Sequence, residues 1–262
     1  IHVRSLAWLL DAPDLLDLQA PQWQGKIASL RDRLPHDIND WLQALDNNPD
    51  DLHCYLNVQV FTRLGRYAEK LLAYYFEAWG VLAAHGVQVR AGKNSTIGEF
   101  DFLLRDGDGL LHWEFATKFY LLESSGAGED ADYFVGPNLA DTLGAKMNKI
   151  LERQLMLSQH PAAQVYLPAT VKQAQALVKG WLFYHRDEHA DAAMCGISAE
   201  HCRGFWCALG EMEQMTAERY AVLPRLHWLA PARLNLAQTM SKQQLLQQLA
   251  THFVHDTMPV SV

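Results

Sequence analysis

The feature that most constrains the fold lies in residues 98–122, where two apolar segments, EFDFLL and LLHWEFATKFYLL, flank the turn-forming sequence RDGDG. Apolar segments joined by Gly and Asp in this way predict a β-hairpin. Asp101 lies in the first predicted strand, and Glu114 and Lys118 lie in the second. Because a buried charge is costly unless it is paired or bound to a metal, two carboxylates in such apolar strands indicate a functional site.

Composition limits the classes of protein to which the chain can belong. Its 262 residues, 49% of them hydrophobic, are enough for one sizeable domain with additions. No apolar run approaches the roughly 20 residues of a membrane span, so we expect none. A net charge of −8 weighs against a non-specific nucleic-acid binder but leaves room for a local basic cleft. Four cysteines are too few for a disulfide scaffold, and a cytoplasmic location is therefore expected.

The pattern of apolar residues and breakers divides the chain into a helical N-terminal extension over residues 1–50 and an α/β domain with a C-terminal helical addition over residues 51–262. Within the second part, we predict a helix over 54–79, a strand over 87–90, the hairpin, a helix over 137–160, a strand over 179–184 and a helix over 241–254. This order predicts a mixed central sheet flanked by helices. Neither a G-x-G-x-x-G nor a Walker A sequence is present, so nucleotide-cofactor chemistry lacks support.

Four segments, FTRLGRYAEKLL, GEFDFLL, HWEFATKFYL and GPN, resemble those of an uncharacterised bacterial domain family that is assigned to the PD-(D/E)XK nuclease superfamily. The resemblance implies a restriction-endonuclease-like fold and a Mg²⁺- or Mn²⁺-dependent nuclease acting on nucleic acid. By the same resemblance, Asp101 and Glu114 would be catalytic metal ligands. Glu69, on the preceding helix, would be a third acidic ligand.

Three further residues take roles from the resemblance. Lys118 would stabilise negative charge during catalysis, while Lys146 and Gln154, on the helix after the hairpin, would contact the substrate. The superfamily pattern, an acid, any residue and then lysine, would place lysine at position 116, but this chain has Ala116. Lys118 faces the same way as Glu114 but lies about 13 Å along the strand instead of about 7 Å.

This departure leaves three hypotheses open. In the first, Lys118 reaches back along the strand or Lys146 takes its place, and the protein is a nuclease. In the second, the chain is a degenerate nuclease fold that binds nucleic acid or a protein partner without cutting. In the third, the protein is structural and the acidic hairpin is incidental.

Two weaker patterns accompany the acidic hairpin in the sequence. Glu99 shares the strand face of Asp101, and we interpret it as a solvated charge at the start of the strand in preference to a further ligand. Residues 185–189 match H-x-x-E-H, an inverted zinc-protease motif that requires a helix. Because this segment follows a predicted strand, the match is interpreted as coincidental.

Overall fold

The computed structural model describes residues 1–58, 60–92, 95–123, 134–137, 139–185 and 195–262. The helices are α1 (His2–Asp11), α2 (Ile38–Asn47), α3 (Asp50–Leu56), α4 (Leu64–Ala78), α5 (Leu143–Lys149) and α6 (Lys242–His255). The strands are β1 (Leu82–Gly92), β2 (Ser95–Asp106), β3 (Gly109–Leu122), β4 (Phe134–Val135), β5 (Val171–His185) and β6 (Cys202–Trp206).

The strands form one mixed sheet in the order β1-β2-β3-β5-β6, with β4 paired to the end of β3. Strands β1, β2 and β3 are antiparallel, whereas β5 runs parallel to both β3 and β6. The predicted hairpin is β2–β3, closed at the pair Asp106↔Gly109 with Gly107 at φ 61°. The predicted mixed α/β architecture with helices flanking the sheet is confirmed.

Alternate residues of the central strands bury opposite faces of the sheet. On one face, Phe76 of α4 packs edge-on against Phe102 and Trp113, with ring centroids 5.2 and 6.0 Å apart. On the other face, Ala116 of β3 packs in a cluster that includes Met147 of α5. Helix α4 and helix α5 therefore cover the two sides of the strands that bear the acidic residues.

Residues 12–30 differ from the predicted helical extension, because they run across the sheet in irregular conformation after α1 ends at Asp11. Ile27 forms a parallel bridge with Ala176 of β5. The buried Lys179 ammonium lies 2.8 Å from Oδ1 of Asp14 and donates to the carbonyl oxygen of Ala12 over 2.5 Å. The N-terminal segment is thus fastened to the centre of the α/β core.

Two predicted helices are interrupted in the structure. The helix predicted over 54–79 is divided into α3, which ends at Leu56, and α4, which begins at Leu64. The helix predicted over 137–160 consists of α5, a π-helical turn at Ile150–Gln154 and short 3₁₀ segments. The predicted strand over 179–184 is part of the longer β5, and the C-terminal helix is confirmed as α6.

Among the described residues, no helix combines the length and apolar character that crossing a membrane requires.

Candidate functional site

The site begins where β2 and β3 separate. Their ladder runs from the turn to the pair Phe102↔Trp113, so the next residues are Asp101 on β2 and Glu114 on β3. Beyond this fork, β3 continues its pairing with β5. The backbone N–H of Phe115, left without a β2 carbonyl, donates instead to Oδ2 of Asp101 over 2.9 Å. The carboxylate of Asp101 is thereby fixed to the strand that bears Glu114.

A cluster of three carboxylates lies beside this fork. Glu69 comes from α4, and Glu99 and Asp101 come from β2; one oxygen from each lies within 4.8 Å of the others. Oxygen ligands at such spacing are able to bind a hard divalent cation such as Mg²⁺. The structure therefore brings together two of the three predicted metal ligands and adds Glu99. The strand face that Glu99 shares with Asp101 is the sequence signal for this proximity, in place of the solvated strand-start charge that the sequence predicts.

Two basic side chains partner the carboxylate cluster. Nη1 of Arg66 lies 3.2 and 3.3 Å from the two carboxylate oxygens of Glu69 and 3.0 Å from Oε1 of Glu99. Nε2 of His85 lies 3.0 Å from Oε1 of Glu69. Sequence reasoning missed both partners. Arg66 lies three residues before Glu69 on α4, which is a local signal, whereas His85 reaches Glu69 only because α4 packs against β1.

A cavity of about 370 Å³ opens beside the carboxylate cluster. Its cationic lining comes from Arg63, Arg66 and Lys70, and its acidic lining from Glu69 and Glu99. The cavity thus presents basic groups next to the carboxylates, which is the combination required to hold a cation and an anion side by side.

Glu114 lies outside the cluster of three and is 1% exposed. Oε1 of Glu114 lies 2.9 Å from Nε2 of His112, and Oε2 accepts a hydrogen bond from the side-chain amide of Gln154. His112 is fully buried, and its Nδ1 has no hydrogen-bond partner among the described residues. Both oxygens of this carboxylate are therefore oriented by neighbouring side chains.

The π-helical turn supplies the amide that contacts Glu114. Its wide turn is marked by the hydrogen bond from the backbone N–H of Leu155 to the carbonyl of Ile150, over 2.9 Å. Gln154, the last residue of the turn, also accepts a hydrogen bond from Nζ of Lys146 over 3.3 Å. The structure thus links both predicted substrate-binding residues, Lys146 and Gln154, to Glu114.

Lys118 is directed to a different partner. Its Nζ lies 2.9 Å from Oδ2 of Asp141, and the same oxygen accepts a hydrogen bond from the hydroxyl of Tyr120 over 2.9 Å. Lys118 therefore joins β3 to the segment that leads into α5, whereas Lys146 lies nearer to the acidic residues through Gln154.

The pKa values of two acids in this region, Asp101 and Glu114, are raised above their ordinary values. Burial, with the charges of Glu114, Glu69 and Glu99, raises the pKa of Asp101 to about 7. Burial also raises the pKa of Glu114 to about 7, against the opposing effects of a backbone hydrogen bond from Asp101, the charge of Lys146 and the amide of Gln154. Such mutually repelling, desolvated carboxylates are typical of functional sites.

Two basic side chains near Glu114 are shifted in the opposite direction. Burial, followed by the charges of Lys118 and Lys149, lowers the pKa of Lys146. Burial also lowers the pKa of His112 to about 4, so its imidazole is neutral at physiological pH. The buried carboxyl of Glu114 therefore contacts a neutral ring and an amide, and the neighbouring positive charge comes from Lys146.

The H-x-x-E-H match is only partly within the described residues. His185 ends β5, with Nε2 3.1 Å from Oε1 of Glu211, and residues 186–190 lie outside the described part of the chain.

Fold and site together define an α/β protein with a six-stranded mixed sheet and a buried acidic site at a strand fork. The chain belongs to the family described as "Domain of unknown function (DUF1853)", which it matches over residues 4–262. The predicted membership of an uncharacterised domain family is thereby confirmed. No curated protein and no solved structure matches the chain significantly.

Proposed function

We propose that the acidic site is the active centre of a divalent-metal-dependent nuclease. The observation that carries this proposal is the convergence of Glu69, Glu99 and Asp101 to within 4.8 Å, beside a cavity with a partly cationic lining. The order of elements supports it: α4 with Glu69, the strands with Asp101 and Glu114, and α5 follow one another as the PD-(D/E)XK resemblance implies.

The donor set fits Mg²⁺ or Mn²⁺, because all of its ligand atoms are carboxylate oxygens. Glu69, Glu99 and Asp101 would hold the ion, with Glu114 adjoining them in an orientation that His112 and Gln154 maintain. When bound, the ion supplies positive charge that polarises a phosphodiester and lowers the pKa of an attacking water.

Two lysines are available for the charge that Ala116 does not supply. Lys146 is favoured, because its charge acts on both Asp101 and Glu114, and its Nζ contacts Gln154. In this proposal, Lys146 stabilises negative charge on the phosphate, while Lys118 holds Asp141 and so positions the segment before α5.

The second candidate function is a non-cutting module that binds nucleic acid or a protein. Two observations favour it: Ala116 stands where the superfamily pattern has lysine, and Lys118 forms an ion pair with Asp141. Carboxylates could persist in such a protein without catalysis, so metal binding alone does not separate the two candidates.

Cleavage of labelled duplex DNA, single-stranded DNA and RNA with Mg²⁺ or Mn²⁺ tests the proposal. We expect metal-dependent cutting of at least one polymer, loss of cutting in Asp101→Asn, and full activity in Asp108→Asn. Asp108 is a suitable control because its side chain is 94% exposed in the hairpin turn. Equal turnover in wild type and Asp101→Asn would contradict the assignment. A folded, metal-binding wild type that cuts none of the polymers would favour the binding module.

A further inference from the structure

We propose that Arg66 is a tethered counter-ion, which occupies the carboxylate cluster until a divalent cation displaces it and then binds a phosphate of the substrate. The proposal rests on the proposed function and assigns a role to a residue outside the predicted acid-and-lysine set. It starts from one atom: Nη1 of Arg66 contacts both oxygens of Glu69 and Oε1 of Glu99 over 3.0–3.3 Å.

The guanidinium and a divalent cation would compete for the same oxygens. Glu69 and Glu99 are two of the three members of the carboxylate cluster, and Arg66 is bonded to both. Three carboxylates at this spacing repel one another, and a positive charge between them relieves that repulsion. A metal ion that binds these oxygens must therefore replace the contacts that Nη1 makes.

The Arg66 side chain is also exposed enough to move away from the carboxylate cluster. Its side chain is 54% exposed, whereas those of Glu69 and Glu99 are 11% and 23% exposed. Ion pairs with one exposed partner are weak, and a divalent cation carries twice the charge of a guanidinium. Displacement leaves the carboxylates in place and moves only the arginine.

The displaced guanidinium can move into the cavity beside the carboxylate cluster. Arg66 lines the cavity of about 370 Å³ together with Arg63 and Lys70. Guanidinium groups bind phosphate through two parallel hydrogen bonds, so a released Arg66 suits the phosphate of a nucleic acid. Metal and phosphate binding would then be coupled, because the metal frees the group that the phosphate requires.

Calorimetric titration with Mn²⁺ tests the competition. Arg66→Gln should bind Mn²⁺ about five- to tenfold more tightly than wild type, because two competing ion pairs are lost. Arg66→Lys, which keeps the charge, should bind Mn²⁺ much as wild type does. Arg63→Gln is the matched control, since Arg63 lines the same cavity and forms no ion pair with the described residues. Its Mn²⁺ affinity should equal that of wild type.

Fluorescence anisotropy with a short single-stranded DNA oligonucleotide and saturating Ca²⁺ tests whether Arg66 also binds a phosphate of the nucleic acid. Loss of a charged phosphate contact in Arg66→Gln should weaken DNA binding about tenfold, opposite in direction to the change in Mn²⁺ affinity. Tighter Mn²⁺ binding together with weaker DNA binding supports the proposal.

Two results would overturn the inference in different ways. If wild type binds Mn²⁺, Asp101→Asn does not, and Arg66→Gln binds no more tightly than wild type, the metal site stands and Arg66 does not compete for it. If none of the proteins binds Mn²⁺, the proposed metal site falls together with the role of Arg66.

Discussion

Asp101 and Phe115 are joined by a hydrogen bond of 2.9 Å from a backbone N–H to a side-chain carboxylate, at the point where two strands part. The aspartate thus takes the place of a ladder carbonyl. Burial is the main reason why both Asp101 and Glu114 are hard to ionise in the folded chain, and the charge of Glu114 adds to this effect at Asp101. The bond from Phe115 acts in the opposite direction, because it favours the ionised form of Asp101.

This arrangement predicts the pH dependence of stability. In the folded protein the pKa values of Asp101 and Glu114 are about 7, raised from 3.8 and 4.5. The folded state therefore binds more protons than the unfolded state between those values. Their contribution is fully present below about pH 4 and is lost as the pH rises through about 7, on the order of a few kcal/mol. Urea unfolding of metal-free protein across this range measures it.

Asp101→Asn is the control for this pH effect. The variant removes one titrating carboxyl and its repulsion of Glu114, so its unfolding free energy should fall less than that of wild type between pH 5 and pH 8. Parallel curves for the two proteins would show that Asp101 ionises as freely in the folded state as in the unfolded state.

Divalent cations should restore the stability that the folded protein loses as the pH rises through about 7. A ligand that binds only the folded state stabilises it, and protons compete with Mn²⁺ for the same carboxylates. We expect Mn²⁺ to raise the melting temperature more at pH 8 than at pH 5, and Asp101→Asn to lose most of this increase. The same melting temperature with Mn²⁺ and with a chelator would favour an incidental acidic hairpin.

The ion pair between Lys179 and Asp14 should be sensitive to the loss of one partner. Lys179 is 0% and Asp14 6% exposed, so Lys179→Met leaves a buried carboxylate without its counter-charge. The expected cost is about 3–5 kcal/mol in the free energy of unfolding. The double variant with Asp14→Leu should recover much of it. Additive losses in this double-mutant cycle would show that the two charges are not coupled.

Gly180 permits the close approach of β5 to β3. A Cβ at this position would overlap the carbonyl oxygen of Lys118 and lie 2.7 Å from the carbonyl carbon. Because the obstacle is backbone, Gly180→Ala should destabilise the protein by more than about 3 kcal/mol, or prevent folding. Gly210→Ala provides the comparison, since nothing lies within 4 Å of its added Cβ. Similar melting temperatures for the two variants would contradict this description of the strand contact.

The contact between Gln154 and Glu114 should contribute measurably to the stability of the folded protein, although Gln154 is only half-buried. Gln154→Leu removes the amide that donates to Glu114 and the oxygen that accepts from Lys146. A buried carboxyl that loses a donor costs about 1–3 kcal/mol, and we expect a stability loss in that range by urea unfolding. Gln159→Leu, at an exposed position just beyond the π-helical turn, should change stability little. An equal effect of the two substitutions would argue against the Gln154–Glu114 contact.

Local patterns made the hairpin predictable from sequence. The alternation around RDGDG indicates β2 and β3, and it places Asp101 and Glu114 on adjacent strands without knowledge of the remaining chain. Membership of an uncharacterised domain family was also predictable from short segments.

Contacts between distant segments account for what sequence reasoning did not predict. Glu99 enters the cluster because α4 brings Glu69 to β2, and no periodicity of either segment encodes that approach. The contact of His85 with Glu69 depends on the same packing, whereas Arg66 lies three residues before Glu69 on α4, so that pair was predictable from helical spacing. The π-helical turn at Ile150–Gln154 resembles an ordinary helix in sequence, because its apolar spacing is close to that of the flanking turns.

The fastening of residues 12–30 to β5 also sets an order of events during synthesis. Ala12 and Lys179 are 167 residues apart in the chain, yet they form one hydrogen bond. At about 5–20 residues per second, a ribosome needs roughly 8–33 s to add that stretch. Throughout this interval the early apolar side chains that will cover β5 have no strand to bury them. This part of the fold therefore depends on a long-range closure, and until β5 is made the N-terminal segment is open to chaperones and to aggregation.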